Sequence, residues 1–420
     1  MAAQKILDKG SYSKIVIDEH DPGSVLKITD STDYDNIIRE VACLSYLNHP
    51  NIIRPTFIEF MPDGTCLIKM ERYPYNLHEY MKKHGTIPII RTIHMLIELL
   101  SAITYMHKNM IIHGDIKPKN ILVAEHTIAI CDFNISCLAS DDALSSVLQT
   151  CNYRAPEINM DKERSRFDPR IDVFSAGCIM FELLTGKEFL TYSGKKEDED
   201  STINICKGLG IYQPHDKRRD RYFNLCKLTA AEIKEKIRRK LPENLVHVAD
   251  KNHIMADYIS IMCLCLMPNR HKRARSDQAL YLMLNLYKKI VSDSLIIDRL
   301  MYGIEISAGV QTCHTNFDKN SKNYKPLNQL TIIKYMPADM SKLFNFSSIN
   351  YANRLLLKYA KKSAEWPKDI SVYTILFITM SVCGEAHRDI VDALEEKFTK
   401  RQLYNHAVRI LVALDFLIFD

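Results

Sequence analysis

Among 420 residues there is no Cys-x-x-Cys pair and no uninterrupted basic tail. The 12 cysteines fall at irregular spacings. The close pair in "MCLCLM" lies within an apolar run, where thiols behave as small hydrophobes, so structural zinc is excluded and a reducing compartment is expected. The apolar stretches "VFSAGCIMFELLTG" and "ISVYTILFITMSVC" fall short of the roughly 18 residues a membrane span needs and are bounded by charge. Both read as buried helices. The opening "MAAQKILDKG" lacks the charged start, apolar stretch and small-residue cleavage site of a secretory signal, so an intracellular protein, in cytoplasm or nucleus and without a membrane partner, is expected. Net charge is only +5, and the basic residues occur in mixed runs such as "HDKRRDR" and "KIRRK". These predict solvated helix faces rather than a nucleic-acid surface. Glycine and proline are few, 13 and 15, with no biased tract. Wholesale disorder is excluded.

A single core rarely grows past about 250 to 300 residues, so the length implies two domains. Residues 1 to about 70 alternate β-rich runs, "SKIVID", "SVLKI" and "CLIKME", with turn signals at "HDPG" and "PDG"; one helical pattern, "DYDNIIREVACLSYL", interrupts them. From about 75 to 287 helical periodicity dominates, with short strands around "ILVAEH" and "IAICDF". A small sheet lobe followed by a larger helical lobe is the expectation. The stretch "EISAGVQTCHTNFDKNSKNYK" is polar and without period, as a linker is. After it come five helical patterns, of which "DISVYTILFITMSVC" is apolar almost all round and belongs at the centre of a bundle.

Phosphoryl transfer asks for a cation on the nucleotide phosphates, a carboxylate and an amide for magnesium, and a carboxylate beside the attacking hydroxyl. Each has a candidate, in chain order. "SVLKI" puts Lys27 on a strand, and Glu40 in "NIIREVACL" falls on the following helix, where it can pair with that lysine. "HGDIKPKN" offers Asp115 to accept the substrate proton, Lys117 as a cation for the transferring phosphate and Asn120 as a metal ligand. "CDFN" offers Asp132, just after a short strand, as the main magnesium ligand.

With these stations in order, the first 290 or so residues resemble a eukaryotic-type Ser/Thr protein kinase. "REVACLSYLNHPNII", "TCNYRAPE", "IDVFSAGCIMFELLTGKEF" and "STINICKGLG" resemble the cyclin-dependent kinases. The resemblance implies the α+β bilobal kinase fold and the cofactors ATP and Mg2+. It further implies Gly10, Lys27, Glu71 and Tyr73 at the nucleotide, Thr150 and Arg154 at the substrate loop, and Ser145 at the activation-loop phosphosite. Glu157 pairing with Arg273, and Asp172 beneath the catalytic loop, are implied as structural contacts.

The departures from that family pattern are specific. "LDKGSYSKIVI" keeps only Gly10 of the G-x-G-x-x-G loop, with Asp8 and Ser13 in the other places, so weaker ATP binding is expected. Asn134 replaces the glycine of the Asp-Phe-Gly turn, and asparagine tolerates left-handed backbone. Gly114, Arg39 and Cys137 stand where the family grips a loop phosphate with three arginines, so Ser145 is expected not to be a required switch. Gln149 stands where the family has a small apolar residue shaping the pocket for a following proline, which leaves proline direction open.

"INYANRLLLKY", "TILFITMSVCGE" and "FTKRQLYNHAVRILVALDFLIF" are similar to the second, third and fifth helices of a cyclin box. Val382 and Ala407 replace the lysine and glutamate by which cyclins grip the kinase. The expected organisation is a kinase domain (1–290), a linker (291–325) and an all-α five-helix cyclin-like domain (326–420). The resemblance implies a Ser/Thr kinase acting on protein substrates, with the cyclin-like domain as an intramolecular partner that presses the Glu40 helix inward and itself able to bind another protein. The rival expectation is a scaffold in which the eroded glycine loop no longer holds nucleotide.

Overall fold

Alternating β-branched residues near the N-terminus form an antiparallel sheet of β1 (Ile6–Lys9), β2 (Ser13–Ile17), β3 (Ser24–Thr29), β4 (Pro55–Phe60) and β5 (Cys66–Glu71), ordered β1-β2-β3-β5-β4. In this computed structural model the described residues are 6–9, 13–30, 34–61, 64–138, 149–159, 168–191 and 200–291. Gly10, Ser145, nearly all of the expected linker and the expected cyclin-like domain lie outside them. Side chains alternate faces along a strand, so Lys27 shares the buried face of β3 with Val25 and Thr29. The "HDPG" turn joining β2 to β3 is closed by Asp21, whose carboxylate accepts from Ser24 Oγ at 2.6 Å. β4 was not among the expected strands. It is an edge strand that opens on Pro55, and proline, which has no N–H for the ladder, is tolerated at such a place and masks the strand signal.

Between β3 and β4 runs helix α1 (Tyr34–Tyr46). Ile37, Ile38, Glu40, Val41, Ala42, Cys43 and Leu44 are all at most 4% exposed. At 100° per residue these positions cover nearly the whole circumference of the helix.

The helical lobe follows the chain through β6 (Tyr75–Asn76), α2 (Leu77–His84), α3 (Ile89–Lys108), β7 (Ile111–Ile112), β8 (Ile121–Val123), β9 (Ile128–Ile130), β10 (Cys137–Leu138) and α4 (Arg170–Thr185), then α5 (Ser201–Gly208) to α10 (Ser276–Ile290). Asn76 starts α2 with a capping box, its side chain accepting from Glu79 N while the Glu79 carboxylate accepts from Asn76 N. Helix α3 is long and apolar enough to cross a membrane by composition, yet two thirds of that window is buried inside the protein, which makes it the core helix of the lobe. Residues Ile171 to Leu183 of α4 are buried without a break, consistent with its all-round apolar sequence. Gly177 is what lets α9 (His253–Cys265) approach: a Cβ there would lie 2.9 Å from Leu266 Cγ.

The basic runs are only partly solvated faces. In "HDKRRDR", Arg221 is 8% exposed and shares the Asp200 carboxylate with Arg218, at 3.1 and 2.8 Å. In "KIRRK", Lys240 covers the Phe189 ring and donates to the Phe189 carbonyl at 2.7 Å, and burial lowers its ammonium below the ordinary lysine value. The long apolar stem of each residue packs while its charge finds a specific acceptor.

Candidate active site

Lys27 is fixed by its strand, and α1 brings Glu40 to it. Lys27 Nζ donates to Glu40 Oε1 at 2.6 Å and Oε2 at 2.8 Å, and to Asp132 Oδ1 at 2.9 Å. Burial alone would depress the ammonium, but the charges of Glu40 and Asp132 outweigh it and hold the lysine charged, well above its usual range. Burial likewise opposes ionisation of Asp132, and Lys27 overrides it, keeping that carboxyl below the usual carboxylate range. One lysine therefore joins the sheet lobe to the helical lobe.

Asp115 lies in the segment after β7. Its Oδ1 accepts from Thr150 Oγ1 at 2.7 Å and Thr150 N at 3.0 Å, and its Oδ2 from Lys117 Nζ at 2.5 Å. Lys117 also donates to Thr150 Oγ1 at 3.1 Å. Asn120 Nδ2 donates to the Asp115 carbonyl and to Oδ2, at 2.9 and 3.1 Å. That leaves the Asn120 amide oxygen as a donor for a hard cation, next to Asp132, because Cys131 N donates to the Asn120 carbonyl at 3.0 Å. A carboxylate and an amide oxygen with a buried ammonium close by fit magnesium and the phosphates it carries. Lys27, Glu40 and Asp132 are thus joined by direct bonds, as are Asp115, Lys117, Asn120 and Thr150, and the Cys131 N bond to the Asn120 carbonyl sets the two groups side by side.

The support lies below. Asp172, fully buried at the start of α4, accepts from His113 N at 2.9 Å, Gly114 N at 3.0 Å and His107 Nε2 at 3.0 Å. Gly114 has φ +78°, a left-handed conformation that glycine adopts without strain and a side chain does not. Arg273 is buried against Glu157 by two bonds of 2.6 and 2.9 Å and lies 5.0 Å above the Phe174 ring.

Asn134 does not do what its sequence position suggests. The left-handed residue of "CDFN" is Asp132, at φ +69°, while the turn itself closes by Ser136 N donating to the Phe133 carbonyl at 3.1 Å with Asn134 at negative φ. Asn134 instead presents its carbonyl to Arg39 Nη1 at 3.0 Å. This ties α1 to the "CDFN" turn.

Glu71 and Tyr73 sit where β5 passes into the helical lobe, Glu71 exposed and Tyr73 half-buried against the core. They are not joined to the Lys27 cluster by any bond among the described residues. One residue matters that sequence reasoning did not place in the site. His113, fully buried, accepts from Asp115 N on Nδ1 at 3.2 Å and pairs through Nε2 with the Cys131 carbonyl at 3.1 Å, which assigns the ring proton to Nε2. The signal was its place two residues before Asp115. Gln149, which the sequence placed at the substrate pocket, is also left-handed, at φ +69°, and its carbonyl accepts from Arg154 Nε at 3.1 Å and Nη2 at 2.8 Å.

A family profile described as "Protein kinase domain" matches residues 19–282, more than half of the chain. "Mitogen-activated protein kinase 16" of Oryza sativa subsp. japonica is 33% identical over 201 residues, covering 44% of this chain and 40% of that protein. "Mitogen-activated protein kinase 14" of the same organism is 32% identical over 202 residues, 44% and 37% of the two chains. "Mitogen-activated protein kinase 9" of Arabidopsis thaliana is 31% identical over 202 residues, 44% and 39%. The chain therefore spans about two-fifths of the length of these curated relatives.

Proposed function

The chain belongs to the protein kinase family, and we propose that it transfers the terminal phosphoryl group of ATP to serine and threonine hydroxyls of protein substrates. The observation that carries this is the Asp115–Lys117–Thr150 triangle, closed by bonds of 2.5, 2.7 and 3.1 Å beside Asn120 and Asp132. Asp115 accepts the proton of the attacking hydroxyl, and Lys117, already at hydrogen-bond distance, places positive charge where charge develops on the transferring group. Asp132 and Asn120 would hold magnesium, which neutralises phosphate charge. Lys27, kept charged by Glu40, grips the nucleotide phosphates.

Acceptors followed by proline suit the substrate loop. Arg154 occupies the Gln149 carbonyl from two nitrogens, so a substrate residue lying there finds no free backbone acceptor. An amide N–H left unpaired in such a place is penalised, and proline has none. The Gln149 side chain, which stands where the family has a small apolar residue, is folded inward, 4% exposed.

Two finer features belong to the same proposal. The enzyme is of cyclin-dependent type and is activated in cis by residues 326–420, whose sequence resembles a cyclin box; the all-round burial of α1 supports this, since a covered helix keeps Glu40 at Lys27. A short tether makes a weak contact sufficient. The Ser145 phosphate is not required, a reading supported by Gly114 in place of a guanidinium and by Arg39 bonding the Asn134 carbonyl.

The test is magnesium-dependent transfer from labelled ATP to a Ser/Thr protein substrate by the full chain, residues 1–300 and Asp132→Asn. Transfer by the full chain, lost in Asp132→Asn and much reduced in the truncation, is the expected result. Equal transfer by 1–300 overturns activation in cis. No transfer above the Asp132→Asn control overturns the kinase reading in favour of a scaffold, toward which the exposed Asp8 of β1 points, since it stands at a glycine position of the nucleotide loop.

A further inference from the structure

Gln149 is a buried polar residue with every hydrogen-bonding group of its side chain in use. Its Nε2 donates to the Ile171 carbonyl at 2.9 Å and to Ser175 Oγ at 2.8 Å, both on α4, and its Oε1 accepts from Ala155 N at 2.8 Å. Ser175 Oγ in turn donates to the Tyr153 carbonyl at 2.9 Å. The backbone of Gln149 is left-handed, a conformation a non-glycine residue keeps only when its surroundings hold it there. Here the amide clasp holds one side and the Arg154 guanidinium the other. The next residue, Thr150, bonds Asp115 through both its N–H and its hydroxyl.

From this chain of bonds we infer that Gln149 is a positioning residue that builds the substrate ledge without a loop phosphate. Its side chain anchors the loop to α4, whose first turn also carries Asp172 under the catalytic segment. The same rigid helix therefore sets the proton acceptor from below and the substrate loop from the side. A loop placed in this way needs no guanidinium cluster to gather it, in keeping with Gly114 and Cys137 at two of the three positions concerned. This inference rests on the kinase reading above and names the residue that fixes its specificity.

The experiment compares the phosphatase-treated full chain with Gln149→Gly, which accepts φ +69° but removes the clasp. Two peptides are used, identical except for Pro or Ala after the acceptor. The treated wild type is expected to prefer the Pro peptide about tenfold in kcat/KM, as one or two buried hydrogen bonds allow. In Gln149→Gly the preference falls to about twofold or less and the peptide KM rises about tenfold, with the KM for ATP unchanged. A preference retained in Gln149→Gly overturns the inference, as does a wild-type preference that appears only when the loop is phosphorylated. If Gln149→Gly does not fold, Ser175→Ala, which removes one partner of the amide, must show the same reduction in part; an unchanged ratio there overturns it equally. A wild type that transfers no phosphate fails the kinase reading and takes this inference with it, whereas an active wild type with an unaffected ratio fails the inference alone.

Discussion

Lys27 Nζ, carried by the sheet, lies 2.9 Å from Asp132 Oδ1 just after β9, so this hydrogen bond links the two lobes at the point where phosphate and metal would meet. With Glu40, it keeps both groups charged. Lys27→Met is therefore expected to lower kcat by about a thousandfold, the scale of losing a preorganised charge in a dry site. Transfer assays with a folding check by thermal melting decide it; a loss under tenfold would contradict the role.

Arg273 and Glu157 form a buried pair with both carboxylate oxygens engaged. Removing one partner strands the other, so Glu157→Ala should lose about 3 to 5 kcal/mol of stability. Denaturant unfolding measures this directly. A loss below about 1 kcal/mol would mean that the pair is solvated.

Glu98 gives the chain a pH dependence of definite sign. Burial, only partly offset by Thr127 and Arg91, pushes its carboxyl from 4.5 up to about 7. The folded state then binds the proton more tightly than the unfolded one, so stability is greatest below pH 4.5 as far as this group is concerned and declines as pH rises to about 7. The decline attributable to Glu98 is about 3 kcal/mol. Glu98→Gln should raise the melting temperature at pH 8 and flatten the curve between pH 5 and 7, and melting scans across that range would show an unchanged slope if the carboxyl is in fact ionised.

Gly177 marks a close approach of α4 to the end of α9. Gly177→Ala should destabilise by about 1 to 3 kcal/mol, because a methyl group meets packed side chains that have nowhere to go. A neutral result in chemical denaturation would show that Leu266 can turn aside.

Much of the site was legible in the sequence because its parts are local. Lys27 follows from strand periodicity, Glu40 from the helix behind it, and Asp115, Lys117 and Asn120 from a single stretch of eight residues. His113 stood in that stretch unread, since a histidine two residues before Asp115 has no role until its ring is seen bonding both Asp115 N and the Cys131 carbonyl. Local propensity misled at Asn134, which tolerates left-handed backbone, although the turn places Asp132 in that region instead.

The sequence by itself determined the two-lobe layout and the order of the candidate site residues along the chain, because hydrophobic period and short motifs act over a few neighbouring positions. Tertiary structure alone decided what Gln149 and Arg221 do. Gln149 reads only as a polar replacement for a small apolar residue until α4, 22 and 26 residues further along, supplies the Ile171 carbonyl and the Ser175 hydroxyl that turn it inward. Arg221 reads as surface charge until Asp200 takes it out of solvent. A polar side chain is buried only when its partners are present, and those partners are set by the packing of distant elements rather than by the residue's neighbours in the chain.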